Sequence, residues 1–327
     1  MKKLISVCLC VLLLISVFSA CGSTQTNPEE NKEKNLKIVT TIFPVYDWVI
    51  EILGDKAENA DVQMLIDTGV DFHSFQPTAA DILSISECDL FAFIGGESDS
   101  WIGDALSASE DKDTLAVNLM EALGDRAKEE ELKEGMEAEE ETEEEAEYDE
   151  HIWLSLKNAE FLVSYLADKI SAVDSENSET YKKNAEAYIE KIEELDEKYE
   201  EALEDAKIKT VVFADRFPFR YLVDDYDIDY YAAFMGCSAE SEASFKTVDF
   251  LAQKLNELSL DSVLTLEGTD HRIAEAVVSN TGRDNIDILS VDSIQSVTKT
   301  DVENGAKYLD IMENNLGVFT EALGQGA

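Results

Sequence analysis

The chain is predicted to be an α/β protein of two lobes, each built on a mainly parallel sheet and joined by one long rigid helix. Three observations predict it. Short β-rich apolar runs alternate with helical spacings over residues 36–177; one apolar stripe at steps of three and four runs from Ser178 to Ala206; and the alternation resumes over 207–327.

The N-terminus comes first. Lys2 and Lys3 precede an apolar stretch from Leu4 to Phe18, and Ser19 and Ala20 supply small residues. This reads as an export signal over residues 1–20, too short for an ordinary spanning helix. Val17 to Cys21 resembles the bacterial lipobox, which implies cleavage before Cys21 and a diacylglycerol on its sulfur. A plain secretory signal is the alternative. Residues 21–35 are polar and suit a flexible tether that holds the protein at a membrane surface. Cys8 and Cys10 leave with the signal. Cys88 and Cys237 then either form one disulfide or remain buried thiols, and their apolar neighbours favour thiols.

In the first lobe, Leu36 to Phe43 is a β-rich apolar run and Tyr46 to Leu53 has helical spacing up to Gly54. Val62 to Ile66 reads as a second strand, Ala79 to Ile85 as a helix, and Asp89 to Ile94 as a third strand before two glycines. A further helical region opens at His151. The stripe Tyr181, Ala185, Tyr188, Ile189, Ile192, Leu195, Tyr199 and Leu203 marks the linking helix, 178–206. At 1.5 Å per residue it spans on the order of 40 Å, enough to bridge two lobes. Such a stripe also serves coiled-coil dimers; a monomer is expected here. In the second lobe Thr210 to Phe213, Asp229 to Phe234, Ser262 to Leu266 and Ile286 to Val291 read as strands. Helices fit Thr247 to Leu258, Arg272 to Thr281 and Glu303 to Leu323.

Charge narrows the function. Seventy-one Asp and Glu against 26 Lys and Arg give a net charge of -45, so a nucleic-acid partner, which needs a basic face, is excluded. Between Lys128 and Glu150, fourteen acids stand against two lysines. This run is expected to be a solvated, mobile insertion, serving either solubility or the capture of cations. It ends at His151.

The chain has three histidines, His73, His151 and His271. His73 lies in a turn after the second strand, and His151 beside Asp149 and Glu150. Imidazole is a common metal ligand, and a flanking carboxylate orients it. Both sit at the mouths of α/β loops, where such sheets bind ligands. His271, at a helix start, is expected to face solvent.

The motifs together resemble the metal-specific substrate-binding proteins of ABC importers, the zinc and manganese group. Lys37 to Tyr46 is similar to the family's opening strand and turn, Gly69 to His73 with Gln76 to Thr78 to its first ligand motif, and Asp149 to Ala159 to its second. Asp174 to Asn177, followed by Tyr181, Asn184 and Tyr188, resembles the start of its linking helix, and the acidic run is placed as in zinc-selective members. The resemblance implies no catalysis, capture of Zn2+ (Mn2+ as the alternative) between the lobes, and delivery to a permease and ATPase. It also implies lipid anchoring on the outer face of the membrane. His73 and His151 would be ligands from the first lobe and Asp292 one from the second. The family's remaining ligand falls at Ala214, which has no donor. Glu267 is the substitute by reach, followed by Asp215; Glu240, Glu242 and water are further candidates. Competing readings are a surface adhesin, a metal buffer and a zinc hydrolase, the last without an HExxH helix or a GxSxG elbow.

Overall fold

The computed structural model describes residues 35–108, 114–137, 147–204, 206–238 and 242–324. The signal, Cys21 and most of the tether lie outside the described residues, as do Glu240 and the middle of the acidic run. Among the described residues no helix is long and apolar enough to cross a membrane.

Two four-stranded sheets carry the fold, each parallel throughout. The first has strands β1 (Leu36–Thr40), β2 (Ala60–Met64), β3 (Leu90–Phe93) and β4 (Leu115–Asn118), in the order β2-β1-β3-β4. The second has β5 (Thr210–Phe217), β6 (Asp229–Met235), β7 (Ser262–Leu266) and β8 (Asp287–Val291), in the order β6-β5-β7-β8. Helices flank the sheets, so β3 and β7 are buried along their whole length; β3 accordingly reads as a continuous apolar run, and β7 buries Ser262 and Thr265 among its apolar residues.

Local chemistry sets the helix ends. Helix α1 (Phe43–Leu53) starts earlier than its apolar spacing suggests because Pro44 fits the first turn. Helix α2 (Ala79–Glu87) opens on a capping box between Thr78 and Asp81. Short helices α3 (Ile102–Ala108) and α4 (Leu119–Leu123) flank β4. Helix α5 (Leu156–Val173) is capped by Ser155, whose Oγ accepts from Asn158 N at 3.0 Å.

The linking helix α6 runs over Ser178–Glu204, and the stripe buries Tyr181, Ala185, Tyr188, Ile192, Leu195, Tyr199 and Leu203. It is covered from within the chain. Helix α6 packs on α5, on α1 and on the C-terminal helix, Tyr308–Ala322, and Tyr199 donates to Met312 O at 2.6 Å. The remaining helices are α7 (Arg220–Asp225), α8 (Phe245–Glu257), α9 (Arg272–Thr281), α10 (Lys299–Glu303) and α11 (Tyr308–Ala322). The helix expected over Glu303 to Leu323 starts only at Tyr308, after a short separate helix that ends at Glu303, because Gly305 takes a left-handed φ of 96° between them. Asp47 of α1 ties the two ends of the chain: it accepts from Tyr308 N at 3.1 Å and pairs with Lys307 at 3.0 Å.

The acidic run departs from expectation where it is described. Residues 128–137 lie along the second lobe: Lys128 pairs with Asp224, Lys133 with Asp229, and Glu137 N donates to Ala233 O at 2.9 Å. Gly135 lets the backbone sit against the Phe250 ring. Near its end the run turns back on itself, with Glu129 bridging Tyr148. Ion pairs and backbone hydrogen bonds therefore offset self-repulsion in this part.

Candidate metal centre

His73 sits in a single 3₁₀ turn, Phe72–Ser74, capped by Asp71, whose Oδ1 accepts from His73 N at 3.0 Å. His151 follows the acidic run and precedes the turn Ile152–Leu154 that leads into α5. The two rings meet, with centroids 5.0 Å apart and Nε2 to Nε2 at 3.1 Å.

The other ring nitrogens orient the rings. His151 Nδ1 is 2.9 Å from Asp149 Oδ1, which also accepts from the His151 backbone N at 2.8 Å. His73 Nδ1 lies 2.8 Å from Ser98 Oγ and 3.4 Å from Glu150 Oε2. Asp149 favours the proton on His151 Nδ1, and both Nδ1 partners lie on the far side of the rings, so the two Nε2 atoms face each other at hydrogen-bond distance. Two nitrogens bound to one zinc at 2.0–2.1 Å stand roughly 3.3 Å apart in a tetrahedral site, close to the observed spacing.

Electrostatics agree. Burial, with the facing His73 ring, lowers the His151 pKa to about 3, so the ring is neutral and able to ligate. Burial pushes Asp149 up to about 7, whereas hydrogen bonds from His73 and Ser98 outweigh burial and hold Glu150 low. Asp149 Oδ2 is buried with no hydrogen-bond partner among the described residues, as expected beside a site for a cation.

The third group in reach is Cys237, just after β6. Nitrogen or sulfur atoms of His73, His151 and Cys237 all lie within 4.8 Å of one another. Gly236 permits the approach: a Cβ there would stand 2.9 Å from Phe217 O and 3.2 Å from His151 Cε1. Glu130, from the docked part of the acidic run, accepts from Cys237 N at 2.9 Å. Burial and the nearby carboxylates of Glu130, Asp149 and Glu150 raise the Cys237 thiol well above its usual range. Cys88 and Cys237 are both free.

The carboxylates expected from the second lobe are not in this group. Glu267 accepts from Ser293 N at 2.8 Å, Ser293 Oγ at 2.6 Å and Ser296 Oγ at 3.0 Å. Asp292 accepts from Ile294 N at 2.7 Å. Asp215 braces β5 to β7 by accepting from Thr265 Oγ1 at 2.8 Å. The Arg216 guanidinium pairs with Asp71 at 2.6 Å, and these two residues line both a cavity of about 700 Å³, shared with His73, Ala214, Asp215 and Glu242, and a smaller one of about 270 Å³ that contains Glu267. His271 is half-buried and lines the larger cavity, rather than facing open solvent. Cys237 was legible only as a thiol among apolar residues; the adjoining Gly236 is the signal that a close approach was required.

Paired parallel sheets, a long connecting helix and an imidazole pair at the strand ends define a two-lobed binding protein with a metal-type donor set. Residues 38–322 match the family described as the zinc-uptake complex component A, periplasmic, and the chain belongs to it. It is 30% identical to the zinc-binding lipoprotein AdcA of Streptococcus pneumoniae, over 99% of this chain and 62% of that one. It is 27% identical to the high-affinity zinc uptake system protein ZnuA of Bacillus subtilis, over 96% of this chain and 95% of that one. The Zn(II)-bound ZnuA-like domain of pneumococcal AdcA superposes with a TM-score of 0.69 at 28% identity, covering 89% of this chain and 100% of the domain. The chain thus spans about three fifths of the length of the streptococcal relatives.

Proposed function

We propose that this chain is the extracytoplasmic binding component of a zinc importer of the ABC type. It captures Zn2+ with His73 and His151 in the cleft and delivers it to a membrane permease driven by an ATPase. The observation that carries the reading is the opposed Nε2 pair at 3.1 Å, each ring oriented by a carboxylate or hydroxyl on its far side. Zinc as the cargo, rather than manganese, is supported by imidazole donors and by the zinc-binding relatives. A lipid on Cys21 would keep the protein at the outer face of the membrane, in line with the pneumococcal relative's description as a lipoprotein.

The test is elemental analysis and calorimetry on the demetallated chain. One zinc per chain, lost in both His73→Ala and His151→Ala, is the expected result. A wild-type chain that takes up neither zinc nor manganese would remove the reading. Metal-dependent turnover of ester, peptide or phosphate substrates would replace it with the hydrolase.

A further inference from the structure

We propose that the thiolate of Cys237 is the third protein ligand of the transported metal, making the donor set two imidazole nitrogens and one sulfur. The proposal rests on the reading of the cleft as a metal site and deepens it, because the sulfur decides which metal the site selects.

Four observations on independent parts of the chain point to it. The Cys237 sulfur and the two imidazoles already satisfy the mutual spacing of one ion's ligands, all within 4.8 Å. The residue before it is a glycine at a place where any side chain would strike Phe217 O or the His151 ring, so the turn after β6 is shaped to bring backbone against that ring. The turn is pinned from outside, by Glu130 accepting from Cys237 N at 2.9 Å. Finally, Glu267 is engaged by Ser293 and Ser296 and Asp292 by the Ile294 N–H, and neither belongs to the group of mutually close donors formed by His73, His151 and Cys237. Cys237 is the second-lobe residue in that group.

The chemistry balances without a redox partner. As Zn2+ enters, the thiol S–H bond breaks and its proton goes to solvent, while the sulfur lone pair forms the bond to zinc. A proton shared between the two facing Nε2 atoms leaves to solvent in the same step. Two nitrogens and one sulfur leave a fourth position for water, an arrangement zinc accepts. Thiolate is a soft donor that favours zinc, and hard manganese prefers oxygen. The sulfur therefore acts as a selectivity filter in a site whose imidazoles alone would admit either metal.

X-ray absorption at the zinc edge of the loaded, full chain tests this directly. The expected shell contains one sulfur at about 2.3 Å beside nitrogen at about 2.0–2.1 Å; a shell of nitrogen and oxygen alone overturns the proposal while leaving the zinc-binding reading intact. This measurement needs no variant, so a misfolded mutant cannot obscure it. With Co2+ as the probe, the chain should show a sulfur-to-cobalt charge-transfer band that Cys237→Ser lacks. Cys237→Ser should weaken zinc by about 100-fold or more, since losing even an outer partner of a ligand costs 10–100-fold, and manganese by far less. Cys237→His should restore much of the zinc affinity. Unchanged zinc affinity and an unchanged cobalt spectrum in Cys237→Ser overturn the sulfur assignment alone. Failure of the wild-type chain to bind zinc overturns it together with the reading beneath it.

Discussion

At the scale of single residues, Asp149 does three things at once. Its Oδ1 receives the His151 ring N–H and the His151 backbone N–H, and its carbonyl receives the Tyr221 hydroxyl at 2.8 Å. Orientation of a ligating imidazole by a carboxylate is worth 10–100-fold in metal affinity. Asp149→Ala is therefore expected to weaken zinc by about that factor while the chain stays folded, which competition against a chromophoric chelator measures. Gly236→Ala makes a complementary case. The added methyl must displace Phe217 O or the His151 ring, costing about 1–3 kcal/mol of stability as overpacking does and loosening the ring as well. Normal melting and normal zinc affinity in that variant would show that the turn has slack the geometry does not suggest. The imidazole pair was legible in the sequence because both histidines stand next to acids at loop positions. The sulfur was not, because a cysteine among apolar residues reads as core whether or not a ligand ring faces it.

At the scale of elements, the stitch between α1 and α11 carries the ends of the chain. Asp47 is 2% exposed, and its carboxylate serves Tyr308 N, Lys307 and the buried start of α11. Asp47→Ala leaves the buried Tyr308 N–H without its acceptor, while Lys307 keeps only Glu51 at 2.8 Å. The cost expected is about 1–3 kcal/mol, read as a lower urea midpoint with an unchanged slope. The stripe on α6 was legible, since steps of three and four from Tyr181 to Leu203 follow the helical period. What covers it was not, because partners of a stripe lie far away in the chain. Strand β4 escaped notice for a related reason: Leu115–Asn118 is four residues long and runs straight into α4, so no alternation develops. The docked half of the acidic run was hidden too. Composition counts its charges and cannot count the lysines and backbone carbonyls of a distant lobe that meet them.

At the scale of the whole molecule, a charge of -45 presses several carboxylates into each other's fields. Glu160 is raised to about 7 by partial burial and by Asp196 and Glu193, and Asp225 to about 6, mainly by burial. A carboxylate with a raised folded pKa binds its proton more tightly in the folded state. Stability is then greatest below its unfolded value near 4.5 and falls as pH climbs to about 7. The metal-free protein should melt higher at pH 5.5 than at pH 7.5, and Glu160→Gln should shrink the difference. A flat profile would contradict this. Zinc at a hundred times its Kd should add about 2.7 kcal/mol at fixed pH, and an unmoved melting temperature on adding zinc would count against specific binding. The acids at 139–141 and 143–145 lie next to the docked segment in sequence. Replacing them with glutamine should slow zinc association at low salt and leave it unchanged at high salt; stopped-flow rates that match wild type at every salt concentration would assign the run to solubility.

Both sheets are parallel, so their strands deliver their carboxyl ends to loops around the cleft. His73 follows β2, Ser98 follows β3, Arg216 closes β5, Cys237 follows β6 and Glu267 follows β7. The three donors of the candidate group, His73, His151 and Cys237, therefore sit in loops and turns, and the buried strands beneath carry none of them. A lineage can exchange one donor for another, nitrogen for sulfur or sulfur for oxygen, by a single codon change without repacking either core.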